Sequence, residues 1–155
     1  MKTAILTICV WLGATALVKP QAMVRPATDG REAAAKWLAL VDADAYGACW
    51  ALASKAFQSS VSKPRWVIGM NRARRFYGKV LARKFKNAVY SANPPEFAPG
   101  EYELLRYQVD LALQGPATEV VLMVMEGPGQ WQVAGYTIVL KNEVWIQPLD
   151  FLNDR

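Results

Sequence analysis

The chain has 155 residues, 53% of them hydrophobic, with 18 Lys and Arg against 13 Asp and Glu and no histidine. Without histidine the commonest general base and metal ligand are missing, which excludes Ser-His and Cys-His nucleophile pairs. Zinc or copper would have to be held by cysteine and scattered carboxylates, so no metal and no cofactor is expected.

Met1-Lys2, the uncharged apolar run Ala4 to Val18 and then Lys19-Pro20-Gln21-Ala22 follow the order of a secretion signal. A cut after Ala16, with Ala14 two residues before it, meets the small-x-small rule; a cut after Ala22 is the alternative. Fifteen apolar residues fall short of the roughly 20 that a spanning helix needs. Residues 1–22 are therefore read as a cleaved leader, residues 23–30 as a flexible lead-in, and the mature chain as periplasmic or secreted. Cleavage leaves Cys49 as the only thiol and excludes an intramolecular disulfide, so the core must hold the fold. About 130 residues remain, enough for one domain without staples.

From Arg31 to Val41 the residues Ala34, Trp37, Leu38 and Val41 recur at helical spacing. Asp42 and Asp44 read as a junction and a helix cap, and Tyr46, Trp50, Ala53 and Phe57 predict a second helix. Ser62 and Pro64 open a third, with Trp66, Met70, Ala73 and Tyr77 on one face, Arg65, Arg72 and Lys79 on the other, and Gly78 at its end. The period then changes to two. Residues 80–91 supply a strand, and after the loop Asn93 to Gly100, residues Leu105, Tyr107, Val109, Leu111 and Leu113 form one buried strand face. Glu119 to Met125 is apolar on both parities, which predicts a strand covered on both sides. Gln114 to Ala117 and Gly127-Pro128-Gly129 make two successive hairpins up to Leu140. Helices first and strands afterwards mean an α+β domain over residues 31–140, followed by a C-terminal extension, residues 141–155, in which Glu143 to Arg155 adds a short strand before an irregular tail.

Trp37-Leu38, Val41-Asp42, Tyr46, Trp50, Phe57, Trp66, Arg74, Gly78, Arg83, Gly100-Glu101-Tyr102, Glu119 and Trp131 to Tyr136 stand in an order that resembles the exported bacterial family catalogued as domain of unknown function 4019. The resemblance spans roughly residues 31–139. It implies a cone-like fold of the nuclear-transport-factor-2-like or cystatin-like type, with N-terminal helices packed on a curved antiparallel sheet, and it carries no activity and no catalytic residues.

Three functional readings follow. The leading one is a non-enzymatic module that binds a small apolar ligand or an envelope protein, with Tyr46, Trp50, Arg74, Trp131 and Tyr136 as ligand-binding residues on the wall of the cone. Arg74 follows Met70 by four residues, so it projects beside the apolar stripe and is expected to meet a carboxylate or a carbonyl under the sheet. The alternative is a small hydrolase or isomerase using a buried carboxylate, drawn from Asp42, Asp44, Asp110 and Glu119, with Tyr107 or Tyr136 facing an oxyanion. Glu119 reads more simply as an exposed strand residue. The third reading rests on charge: ten Lys or Arg and no acid lie between Ala45 and Pro95. That asymmetry fits a peripheral envelope surface binding anionic lipid or polysaccharide through residues 63–86, or charges answered within the molecule. No nucleic-acid partner is expected, and a homodimer through the apolar sheet face is an open alternative.

Overall fold

A computed structural model describes residues 30–141; the expected leader, the expected lead-in up to Asp29 and the tail after Lys141 lie outside them. The first apolar stripe forms α1 (Arg31–Asp42), which buries Ala34, Trp37, Leu38 and Val41. It starts at Gly30, where a Cβ would come within 3.0 Å of Met123 Cγ and 3.2 Å of Glu103 Oε2. The Gly30 N–H donates to the buried Glu103 carboxylate, so a sheet residue supplies the negative charge that a helix N-terminus favours.

The second predicted helix is two helices, α2 (Tyr46–Ala51) and α3 (Lys55–Ser60). Ser54 makes the break. Its hydroxyl accepts the Phe57 N–H at 3.2 Å as an N-cap, while its own N–H donates to the Val133 carbonyl of the sheet at 2.9 Å. Gln58 Nε2 donates to the carbonyls of Trp50, Ala51 and Ala53, which supplies partners that the end of α2 lacks. Cys49 on α2 is fully buried, and burial pushes its thiol up to about 11. In a Cys9→Ser chain, a thiol reagent at about pH 8 is expected to leave Cys49 unmodified until denaturant is added. Rapid modification without denaturant would show that α2 opens in the folded state.

The third predicted helix, α4 (Lys63–Tyr77), follows Ser62 with Pro64 in its first turn. It ends at Gly78, at φ 75°, where a Cβ would lie 2.9 Å from Ala112 Cβ and Leu113 Cγ. Lys79 therefore falls beyond the helix and does not share a face with Arg65 and Arg72.

Among the described residues four antiparallel strands follow in a simple meander: β1 (Val80–Ala92), β2 (Glu101–Leu111), β3 (Gly115–Gly127) and β4 (Gln130–Leu140). Pairs such as Phe85 with Tyr107 and Val121 with Tyr136 set the register. Register shifts between Phe85 and Asn87 and between Leu122 and Met123 mark irregularities that bend such a sheet. The inner residues Leu105, Val109, Val121 and Met123 meet Trp37, Leu38 and Trp66 in one core. Leu113, expected on this face, lies past the end of β2 in the turn and is exposed. As expected, β3 is buried on both parities from Glu119 to Val124, and Leu122 and Val124 join Tyr102 in a smaller cluster. The domain is α+β, with its helices packed against an antiparallel sheet.

Candidate functional site

The helix α4 and the strand β4 enclose a cleft of about 660 Å³. Trp66, Met70 and Tyr77 form its helical wall, and Val80, Tyr136 and Ile138 form the wall opposite. Gly69, in the middle of α4, lines the cleft without filling it: a Cβ built there meets nothing within 4 Å. The charged lining residues are Arg65, Arg72 and Arg74, and among the described residues no Asp or Glu lines the cleft.

Three of the five predicted ligand-binding residues, Tyr46, Arg74 and Tyr136, come together here. Trp131 lines a separate hollow of about 460 Å³ with Trp37, Leu52 and Met123. Trp50 lines neither; its indole N–H donates to the Val61 carbonyl at 2.7 Å within the helical layer. Periodicity placed Trp50 on the buried side of its helix but could not say which neighbour it faces.

Arg74 meets both a carboxylate and carbonyls, as expected, though at the turn between α1 and α2. Its Nε donates to Asp44 Oδ1 at 2.8 Å and to the Tyr46 hydroxyl at 3.1 Å, and its Nη2 donates to the Val41 carbonyl at 2.7 Å. Asp44 is not the cap of α2. That position is Ala45, which makes no side-chain cap bond, and Asp44 stands at φ 57° with its carboxylate accepting the Tyr46 O–H at 2.6 Å. This bond holds the Asp44 carboxyl below its ordinary value, against partial burial and aided by the Arg74 charge. The guanidinium is thus committed to fixing the turn that carries Tyr46.

The second polar cluster lies under the sheet. Glu119, expected to be exposed, is completely buried, because it shares the inward parity of Val121 and Met123. Its carboxylate accepts from Arg83 Nε, from Arg83 Nη2 at 3.1 Å and from the Tyr136 hydroxyl at 2.8 Å. The same guanidinium donates to both oxygens of Asp42, at 2.7 and 2.9 Å. Burial opposes the charge on Arg83, but the hydrogen bonds it donates to Asp42 and Glu119 outweigh it and raise the pKa well above the ordinary arginine value. Burial first, and then the Glu119 charge, push the Tyr136 phenol far up, so it stays protonated and donates.

Both Glu119 oxygens are occupied, Asp42 is paired and Asp110 is exposed. Tyr107, offered with Tyr136 as an oxyanion donor, is buried against Phe85, with ring centroids 5.6 Å apart. Among the described residues no unpaired carboxylate lines the cleft. Among the described residues no group of three metal-ligating side chains converges, and no helix is long and apolar enough to cross a membrane. Sequence reasoning missed the burial of Glu103 and the pairing of Glu119, named among the candidate carboxylates but read more simply as exposed, with Arg83. The signal was present in the strand parity, which turns both glutamates inward with Leu105 and Val121.

Residues 33–136 match the family model described as "Protein of unknown function (DUF4019)". No curated protein and no solved structure matches the chain. The matched segment covers most of the chain, both polar clusters and the greater part of the cleft, and the chain belongs to the DUF4019 family.

Proposed function

We propose that this chain is an exported, non-enzymatic binding module whose ligand lies in the cleft between α4 and β4. The observation that carries the reading is Gly69. A glycine inside a helix costs about 0.8–1 kcal/mol relative to alanine, and here there is room for the methyl group. Gly69 is exposed and lines the cleft, so a glycine here leaves the space above it open for a ligand. The cleft volume also falls within the roughly 300–1,000 Å³ of small-molecule sites, and its aromatic walls suit an apolar group.

Gly69→Ala is expected to stabilise the protein by about 0.5–1 kcal/mol in urea unfolding. Gly69→Trp, which fills the cleft without a clash at Cβ, is expected to fold and to abolish the fluorescence gain of the neutral dye Nile red. If the tryptophan variant binds the dye as well as the parent does, the ligand does not lie here. Native mass spectrometry of the protein purified from its own compartment is the companion measurement, and a retained small molecule lost from the Gly69→Trp variant is the expected result.

A second reading is favoured by the exposed Ile68 and Phe76, which share α4 with Arg72 and Arg75. Apolar tips among cations suit an anionic envelope surface, and such contact would weaken steeply with salt.

A further inference from the structure

We infer that the ligand of the cleft is an amphiphilic anion, an apolar chain or ring carrying one carboxylate, phosphate or sulfate, with the anionic head held by Arg65 and Arg72. This rests on the cleft being a binding site and names the chemistry it selects. Arg65, Gly69, Arg72 and Phe76 recur at i, i+4, i+7 and i+11, so they share one stripe of α4, and all four line the cleft. Seven residues of helix separate the two arginines by about 10 Å, with the side-chain-free Gly69 between them.

The four cleft-side and sheet-side arginines divide into two kinds. Arg74 and Arg83 are tied to Asp44, Asp42 and Glu119. Arg65 and Arg72 are exposed and make no ion pair or hydrogen bond among the described residues. Two cations without counter-charges among the described residues stand at the rim of an apolar cleft that no acid among them lines, and a neutral ligand would leave both unanswered. An anion with an apolar body satisfies the rim and the walls together.

The test compares dansyl-undecanoic acid with its methyl ester by fluorescence titration. The two share a body, and the acid is ionised at neutral pH. The acid is expected to bind more tightly than the ester and to weaken with salt. Arg65→Gln and Arg72→Gln should each weaken the acid about threefold to fivefold, the effect an exposed ion pair supports, and leave the ester unchanged. Displacement by dodecanoate points to a free carboxylate, and displacement by dodecyl phosphate alone points to a phosphate head; either supports the inference. Equal binding of acid and ester, both abolished by Gly69→Trp, overturns the anion while keeping the cleft as the site. No binding of either, or binding indifferent to Gly69→Trp, overturns the site itself. Salt-sensitive sedimentation with phosphatidylglycerol vesicles that survives Gly69→Trp assigns the arginines to a membrane surface and overturns the inference. The thermal midpoints of the glutamine variants, expected to match the parent, exclude a loss through unfolding.

Discussion

Arg83→Leu is expected to destabilise the domain by about 3–5 kcal/mol, the cost of leaving one partner of a buried ion pair behind. Glu119 is wholly buried, so its carboxylate loses two of its three donors and cannot turn to water. Asp42, with a side chain 40% exposed, can be solvated, and the cost falls mainly on Glu119. Urea unfolding with an unchanged m-value measures the loss. The double variant Arg83→Leu with Glu119→Leu is expected to recover a large part of it, because replacing both members of a buried pair with apolar groups removes the unmatched charge. A single-variant cost below about 1 kcal/mol would mean that the cluster behaves as a solvated surface pair.

The second large effect is Trp66→Ala, expected to cost about 3–5 kcal/mol as a buried aromatic truncation. The ring is edge-on to Phe57 with centroids 5.0 Å apart, lies 6.0 Å from Trp37 and 6.4 Å from Tyr136, and its indole N–H donates to the Tyr46 carbonyl at 3.0 Å. It therefore joins α2, α4 and the sheet at the head of the cleft. Trp66→Phe keeps a ring but removes the donor, and about 1–2 kcal/mol is expected for it. Equal losses in the two variants would show that the hydrogen bond outweighs the ring. A pair of losses both under about 1 kcal/mol would show that the cleft wall is not part of the core.

Both effects converge on Tyr136. Its hydroxyl is fixed by Glu119 and its ring by Trp37 and Trp66, with centroids 5.3 and 6.4 Å away. The cleft wall at this strand is held by Glu119 and Trp37, which do not line the cleft, and by Trp66, which does. Arg74 does the corresponding work for Tyr46 at the other side, through Asp44 and Val41. The polar clusters preorganise the aromatic walls, and preorganisation lowers the ordering cost of binding.

How far the site could be read in advance depends on the range of each interaction. The stripe Trp66, Met70, Ala73 and Tyr77 and the alternation from Leu105 to Leu111 are local patterns, and both elements formed where those patterns lie. The break between α2 and α3 was not legible, because Ser54 is drawn to Val133 on β4, a partner that no helical window contains. Glu119 was misread because its residue type was weighed above its parity, and its match, Arg83, lay in a basic run that looked like surface. Tyr46, Arg74 and Tyr136 were picked out and do meet around one cleft, whereas Trp50 and Trp131 carried the same signal and went elsewhere.

The amino-acid sequence by itself determined the α+β order of elements, the main helix and strand faces, the glycine stop at Gly78 and the family, since each depends on neighbours within a few turns or on residue order alone. Only the tertiary structure decided which charges are internal and which stand free. Arg83 meets Asp42 and Glu119 across the chain, and Arg65 and Arg72 do not meet an acid among the described residues. Side chains of one type are sorted by the sheet register and the seat of α4 upon it, so identical charges become either a buried clamp or an open rim.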